Sequence, residues 1–202
     1  TVKKDYLTVG NQVINDEIKD MQKLAAQIDS SFNQACQLID ACAGRVIFIG
    51  IGHSGHVAAK SASNSNSLGI HSFFMHAAEA MHGELGAVTG QDVCVMISNS
   101  GETDELLALL PRIRSVGAKS IAVVGKADSS LAKGCNVALS TAFQQEAGPL
   151  KFAGSSSSLL PMALCDALAI AVAHARGLTV EAYSHHHPGG AFSKQAREDH
   201  QS

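Results

Sequence analysis

Between residues 9 and 42 apolar side chains recur every third or fourth position, at Val13, Ile14, Ile18, Met21, Leu24, Ala25, Ile28, Phe32, Ala35, Leu38 and Ile39. That period predicts one long amphipathic helix, or two in succession. Gly44 closes the pattern. Residues 45–50 then form a nearly continuous apolar run rich in β-branched side chains, the signature of a strand covered on both faces. The alternation repeats: helix is expected over 54–68, strand over 70–75 and 93–98, helix over 102–116, strand over 120–125, a short helix near Ser129, strand over 137–139 and helix over 156–176. Apolar strands separated by helices imply parallel βαβ units, so the expected class is a three-layer α/β fold. No internal repeat or Pro/Gly linker divides the 202 residues, which predicts a single domain. The serine run 155–158 leads straight into an apolar helix, and so reads as a hydroxyl-rich helix start rather than a linker.

A chain of this length buries roughly 70% of its unfolded surface and needs no crosslinks. The five cysteines, Cys36, Cys42, Cys94, Cys135 and Cys165, are odd in number, include no Cys-x-x-Cys pair and sit mostly in apolar surroundings. Reduced, buried thiols and a cytoplasmic location are expected. The formal charge of -3, with both signs interspersed, gives no basic footprint for nucleic acid and no polybasic patch for anionic lipid. The apolar stretches read as interrupted short of the ~18 residues that span a bilayer, and no secretion signal opens the chain. The expectation is a soluble protein with neither membrane nor nucleic acid as partner.

The candidate chemistry lies at two strand-to-helix turns, Gly50-Ile51-Gly52-His53-Ser54-Gly55 and Ser98-Asn99-Ser100-Gly101-Glu102-Thr103. Unpaired backbone amides and the helix dipole make such turns anion sites. The first satisfies G-x-G-x-x-G, but a dinucleotide fold expects an acidic residue at the end of the next strand, where this chain has His76 and no carboxylate before Glu79. A purely structural alternative is that the glycines serve a tight turn and close packing. The donors Ser54, Ser98, Asn99, Ser100 and Thr103 exceed what capping requires, and favour a phosphomonoester. Glu102 and Glu105, three residues apart, share one helix face, and either could move a proton. The bland alternative is that both are first-turn carboxylates favoured by the dipole at about 0.3–1 kcal/mol each. The run His185-His186-His187 invites a metal, but neighbours in an extended chain point apart, and no native metal is expected.

Six blocks together resemble the sugar isomerase (SIS) domain, and within it the arabinose-5-phosphate isomerase group. They are Gly50-x-Gly52-x-Ser54-Gly55, Phe73-Phe74-x-His76-x-Ala78-Glu79-Ala80-x-His82-Gly83-x-Leu85-Gly86, Ile97-Ser98-Asn99-Ser100-Gly101-Glu102, Glu146-Ala147-x-Pro149-Leu150, Asp166-Ala167-Leu168-Ala169 and His187-Pro188-Gly189-Gly190-Ala191. The resemblance implies one SIS domain over 1–202, with a helical extension over 1–43 and a sugar-phosphate-binding core over 44–193. It also implies a five-stranded parallel sheet in a three-layer αβα sandwich, assembled as a homodimer or homotetramer. The implied reaction interconverts a phosphorylated aldose and ketose through an enediol, without metal or organic cofactor. Gly52, His53, Ser54, Ser98, Asn99, Ser100 and Thr103 would hold the phosphosugar. Glu102 or Glu105, Glu146, His82 and His187 would line its reacting end. The family usually has lysine where this chain has His53, and its isomerases carry paired C-terminal CBS modules for which this sequence has no room. The competing expectation is a non-catalytic SIS module that binds a phosphosugar and regulates a partner.

Overall fold

The structure, a computed structural model, describes residues 5–187. The long periodic stretch folds as two helices, α1 (Tyr6–Gln27) and α2 (Ser30–Asp40). Ile28 turns extended between them, and the Asp29 carboxylate accepts from the Ser31 amide at 2.8 Å, which stops one helix and caps the next. After these come β1 (Val46–Gly50), α3 (Gly52–Ser67), β2 (Ser72–His76), α4 (Ala77–Met81) and a short 3-10 turn (Glu84–Ala87). The chain continues through β3 (Val93–Ser98), α5 (Asp104–Ser115), β4 (Lys119–Val124), α6 (Ser130–Gly134), β5 (Val137–Ser140), α7 (Ser156–Ala175) and α8 (Val180–His186).

All five strands are parallel, in the order β2-β1-β3-β4-β5. Side chains alternate between two cores, as a period of two demands. Val46, Phe48, Val95, Ile97, Ile121 and Val123 face the layer of α1, α2, α3 and α7. Ile47, Ile49, Cys94, Met96, Ala122 and Val124 face α4, α5 and α6. This is the three-layer, five-stranded arrangement expected of the sequence. The two short helices α4 and α8 and the 3-10 turn were not foreseen, because elements of four to seven residues carry too little periodicity to register.

By length and mean hydropathy the helix α7, 20 residues long, could cross a bilayer, although three serines, Asp166 and His174 interrupt it. Here Leu160, Leu164, Leu168 and Val172 pack it into the core against α3 and α2. A helix that is apolar nearly all round serves a buried central position equally well.

Candidate active site

From β1 the chain crosses to β2 on one side and then returns to β3 on the other, so the strand order reverses between β1 and β3. Open parallel sheets take their ligands at the carboxyl ends of the strands beside such a point. Both glycine turns stand there. Gly50 lets α3 start hard against β1, since a Cβ on it would lie 2.6 Å from the Ser54 carbonyl oxygen. Gly52 and Gly101 take left-handed φ values of +58° and +66°, which turn the chain from each strand into its helix.

α1, α2, α6 and α8 each begin on a side chain that accepts an amide of the first turn, Asp5, Asp29, Ser129 and Thr179, whereas α4 and α7 begin without one. At the switch point, α3 begins on Ile51 and α5 on Thr103, and neither makes a side-chain cap. The amides at these two helix starts, among them those of Gly52, His53, Ser54, Asp104 and Glu105, therefore keep their donors for something other than the protein's own side chains among the described residues.

The hydroxyls of the second turn have two duties. Ser98 is 3% exposed; its Oγ accepts from the Gly101 amide at 3.0 Å and shares a hydrogen with Thr103 Oγ1 at 2.8 Å. Ser100 Oγ accepts from the Glu102 amide at 3.1 Å. Ser98 and Thr103 thus brace the turn that leads into the uncapped start of α5. The Gly125 amide donates to the Asn99 carbonyl at 3.0 Å, and a Cβ on Gly125 would lie 2.2 Å from Asn99 Oδ1, so the glycine that follows β4 seats that side chain.

The carboxylates separate. Glu102 Oε1 accepts from the Ser130 amide at 2.8 Å, so it caps α6, and that bond above all holds its carboxyl below the ordinary glutamate range. Glu105 lies half-buried in the first turn of α5, beside the unpaired amides, and makes no side-chain hydrogen bond or ion pair among the described residues. Glu146 sits on the loop between β5 and α7. Its Oε2 accepts from the Ser155 amide at 2.9 Å, the Ser155 hydroxyl at 3.0 Å and the Ser157 amide at 3.2 Å. Burial alone would raise its pKa, but the bonds from Ser157 and Ser155 together outweigh this and the net direction is down. His53 reaches this loop from the first turn: a Cβ on Gly154 would lie 3.0 Å from His53 Nδ1. The first turn, His53 and the Glu146 loop are therefore brought together.

Of the two remaining histidines, His187 is not. His82 ends α4 on the connection from β2 to β3, exposed to solvent. His187 follows α8 and stacks on Tyr183, ring centroids 5.7 Å apart. Its neighbour His186 abuts Gly69, which precedes β2, so α8 lies at the amino ends of the strands, opposite the glycine turns. The rest of the last motif, Pro188, Gly189, Gly190 and Ala191, lies outside the described residues. Among the described residues no three His, Cys, Asp or Glu side chains are grouped to hold a metal ion.

Sequence reasoning missed two acidic residues of α1. Asp16 Oδ2 accepts from the Gly148 amide at 3.2 Å, and Asp20 Oδ2 from the Ser156 hydroxyl at 2.7 Å. The available signal was an aspartate at position 20 within the apolar stripe of an amphipathic helix, one turn before Leu24.

Two uncapped helix starts flanking a switch point, with free and hydrogen-bonded carboxylates beside them, define an α/β domain that presents unpaired amide donors at the carboxyl ends of its strands. Residues 41–171 match the SIS domain, and the chain belongs to that family. It is 42% identical over 191 residues to the arabinose 5-phosphate isomerase KdsD of Pseudomonas aeruginosa, an alignment covering 95% of this chain and 59% of the relative. The enzyme of the same name from Escherichia coli K12 is 39% identical over 191 residues, with 95% and 58% covered. The chain thus spans somewhat more than half the length of these curated relatives. Among solved structures, an Escherichia coli CFT073 protein in complex with arabinose 5-phosphate superposes with a TM-score of 0.88 at 34% identity, covering 93% of this chain and 100% of the other.

Proposed function

We propose that this domain is a cytoplasmic phosphosugar aldose-ketose isomerase, most like arabinose-5-phosphate isomerase, working through an enediol with no metal or organic cofactor. The carrying observation is the pair of uncapped helix starts across the β1/β3 switch point, with Glu105 on one of them. The phosphate dianion takes the amides of the two turns and the hydroxyls of Ser54 and Ser100, with Ser98 and Thr103 bracing the second turn, Asn99 at its edge and Gly52 shaping the first. His53 faces the sugar hydroxyls from the same turn. Once the ring has opened, a carboxylate removes the proton from C2 of the aldose while the carbonyl oxygen at C1 is protonated. The carboxylic acid so formed then returns its proton to C1 of the enediol while the C2 hydroxyl gives its proton to the base left by protonating the C1 oxygen and becomes the C2 carbonyl, so atoms and charge balance without an added reagent.

Glu105 and Glu146 are the carboxylates proposed for these transfers, and the commitment of Glu102 to α6 favours Glu105 over it at the second turn. His82 and His187 are proposed to serve ring opening, His187 in the site of a neighbouring subunit, a placement supported by the position of α8 at the amino ends of its own strands. A homodimer or homotetramer fits the exposed apolar residues Leu7, Ile14 and Ile18 on α1, and the groove of about 380 Å³ that Ile14, Ile18, Met21 and Leu159 line.

The test is incubation with arabinose 5-phosphate in deuterated water, followed by NMR. Ribulose 5-phosphate should appear with deuterium exchanged at the carbon that passes through the enediol. Glu105→Gln should lower kcat about 10²–10⁴-fold, while Glu102→Gln keeps most of the turnover. Saturable, phosphate-dependent binding with no turnover would instead support a regulatory module.

A further inference from the structure

The first helix is joined to the loop of Glu146 by more than packing. Asp20 is 7% exposed and receives the buried Ser156 hydroxyl at 2.7 Å, the first residue of α7. Asp16, one turn earlier, receives the Gly148 amide at 3.2 Å. Gly148 itself has φ +76°, and a Cβ there would lie 2.5 Å from Val13 Cγ2, so the loop is pressed onto α1 at a third point. Inside the loop, the Ala147 amide donates to Ser155 Oγ at 2.8 Å, and the same hydroxyl donates to Glu146 at 3.0 Å. A path of two hydrogen-bonded links, joined by the peptide bond between Ser156 and Ser155, therefore runs from Asp20 to the Glu146 carboxylate.

The charges around this path balance. Lys19 and Lys151 approach Asp16 at 3.4 and 3.7 Å, and Lys23 approaches Asp20 at 3.4 Å. These groups and Glu146 border a polar cavity of about 220 Å³ between α1 and the loop. With Asp20 buried and bonded to a hydroxyl, removing its acceptor leaves Ser156 Oγ without a partner, and the start of α7 is free to shift.

We propose that Asp20, assisted by Asp16, is a positioning residue: α1 latches the loop between β5 and α7 so that Glu146 meets the sugar at a fixed place. The inference rests on the isomerase assignment for its kinetic consequence, but the latch itself is independent of that assignment. A carboxylate displaced by about 1 Å from its working position loses on the order of 10²-fold in rate. Loss of the latch should therefore appear in kcat rather than in KM, because none of its hydrogen bonds involves the amides of the two glycine turns.

The experiment compares wild type, Asp20→Ala, Asp20→Asn and Asp16→Ala on arabinose 5-phosphate across pH, together with amide hydrogen exchange. Asp20→Ala should lower kcat roughly 10- to 100-fold, with KM nearly unchanged. The acid limb of its pH profile should move upward as Glu146 loses donors, and Asp20→Asn should restore most of the rate through its amide oxygen. The amides of Ala147, Gly148, Ser155 and Ser157 should exchange faster in Asp20→Ala while those of β1 and β3 do not. If Asp20→Ala does not fold, Asp16→Ala carries the same test at Gly148, with a smaller effect. Unchanged exchange at those amides, or equal losses in Asp20→Asn and Asp20→Ala, would overturn the latch. A wild-type protein without turnover would overturn the isomerase assignment instead, and the exchange data would still decide the latch.

Discussion

Replacing Gly101 by alanine tests whether the second turn is held as tightly as its contacts imply. Alanine at φ +66° carries a left-handed penalty of about 1–2 kcal/mol. Its Cβ would also lie 2.1 Å from Ser129 Oγ and 2.4 Å from Ser129 Cβ, so atoms at the start of α6 must move. Forcing a methyl group into a packed site costs about 1–3 kcal/mol. The two costs sum to about 2–5 kcal/mol, which at about 2–4 °C per kcal/mol for a domain of this size lowers Tm by roughly 4–20 °C. A second substitution separates them. Ser129→Gly removes both colliding atoms, and exchanging a serine cap for glycine costs only a few tenths of a kcal/mol. The double variant should regain about 1–3 kcal/mol over Gly101→Ala and keep only the backbone penalty. Thermal denaturation of the four proteins gives the cycle. Calorimetry with arabinose 5-phosphate should show weakened binding in Gly101→Ala, because the Gly101 amide and carbonyl join Ser98 to Leu131 across the turn. A Tm within about 2 °C of wild type, or a double variant no more stable than Gly101→Ala, would refute the close packing inferred at this turn.

Two further outcomes follow from buried groups. Asp92 is 2% exposed and accepts from the amides of Arg45 and Thr89, each at 2.7 Å; burial raises its pKa, but these bonds outweigh it and the net direction is down. Its contribution is therefore complete above the ordinary aspartate value of about 3.9 and is lost as pH falls through the lower folded value. The stability gap between wild type and Asp92→Asn, about 1–3 kcal/mol at neutral pH, should stay flat from pH 7 to 5 and shrink below pH 4 in urea titrations; a gap unchanged down to pH 2 would contradict this. Burial pushes the Cys94 and Cys165 thiols up to about 12 and Cys135 up to about 11. At pH 8 a thiol reagent should therefore react in the native protein only at Cys36 and Cys42, and at all five on unfolding; fast native labelling of Cys94 would contradict the burial.

The sheet was legible because β1 and β3 are buried on both faces and read as unbroken apolar runs, and the glycine turns because their backbone cannot be built otherwise. The break at Ile28 was harder to see, since the apolar period of α1 carries through it into α2, although Asp29 before Ser30 is a capping signal. The distinction between Glu102 and Glu105 was out of reach: spacing places both on one face, and what separates them is the amide of Ser130, 28 residues away. Asp20 lies 136 residues from Ser156, so its role depends on where α1 docks rather than on any local pattern. The same holds for His187, which the resemblance placed at the reacting end of the sugar while nothing local said to which end of the sheet α8 returns.

The uneven distribution of helix caps links occupancy to folding. α1, α2 and α8 satisfy their own first turns, whereas α3 and α5 leave donors unpaired at the switch point. A compound that fills both starts and ignores the unfolded chain raises stability by about 2.7 kcal/mol at a concentration 100 times its Kd. Such a domain is most easily opened when starved of its ligand, and its resistance to proteolysis rises with supply.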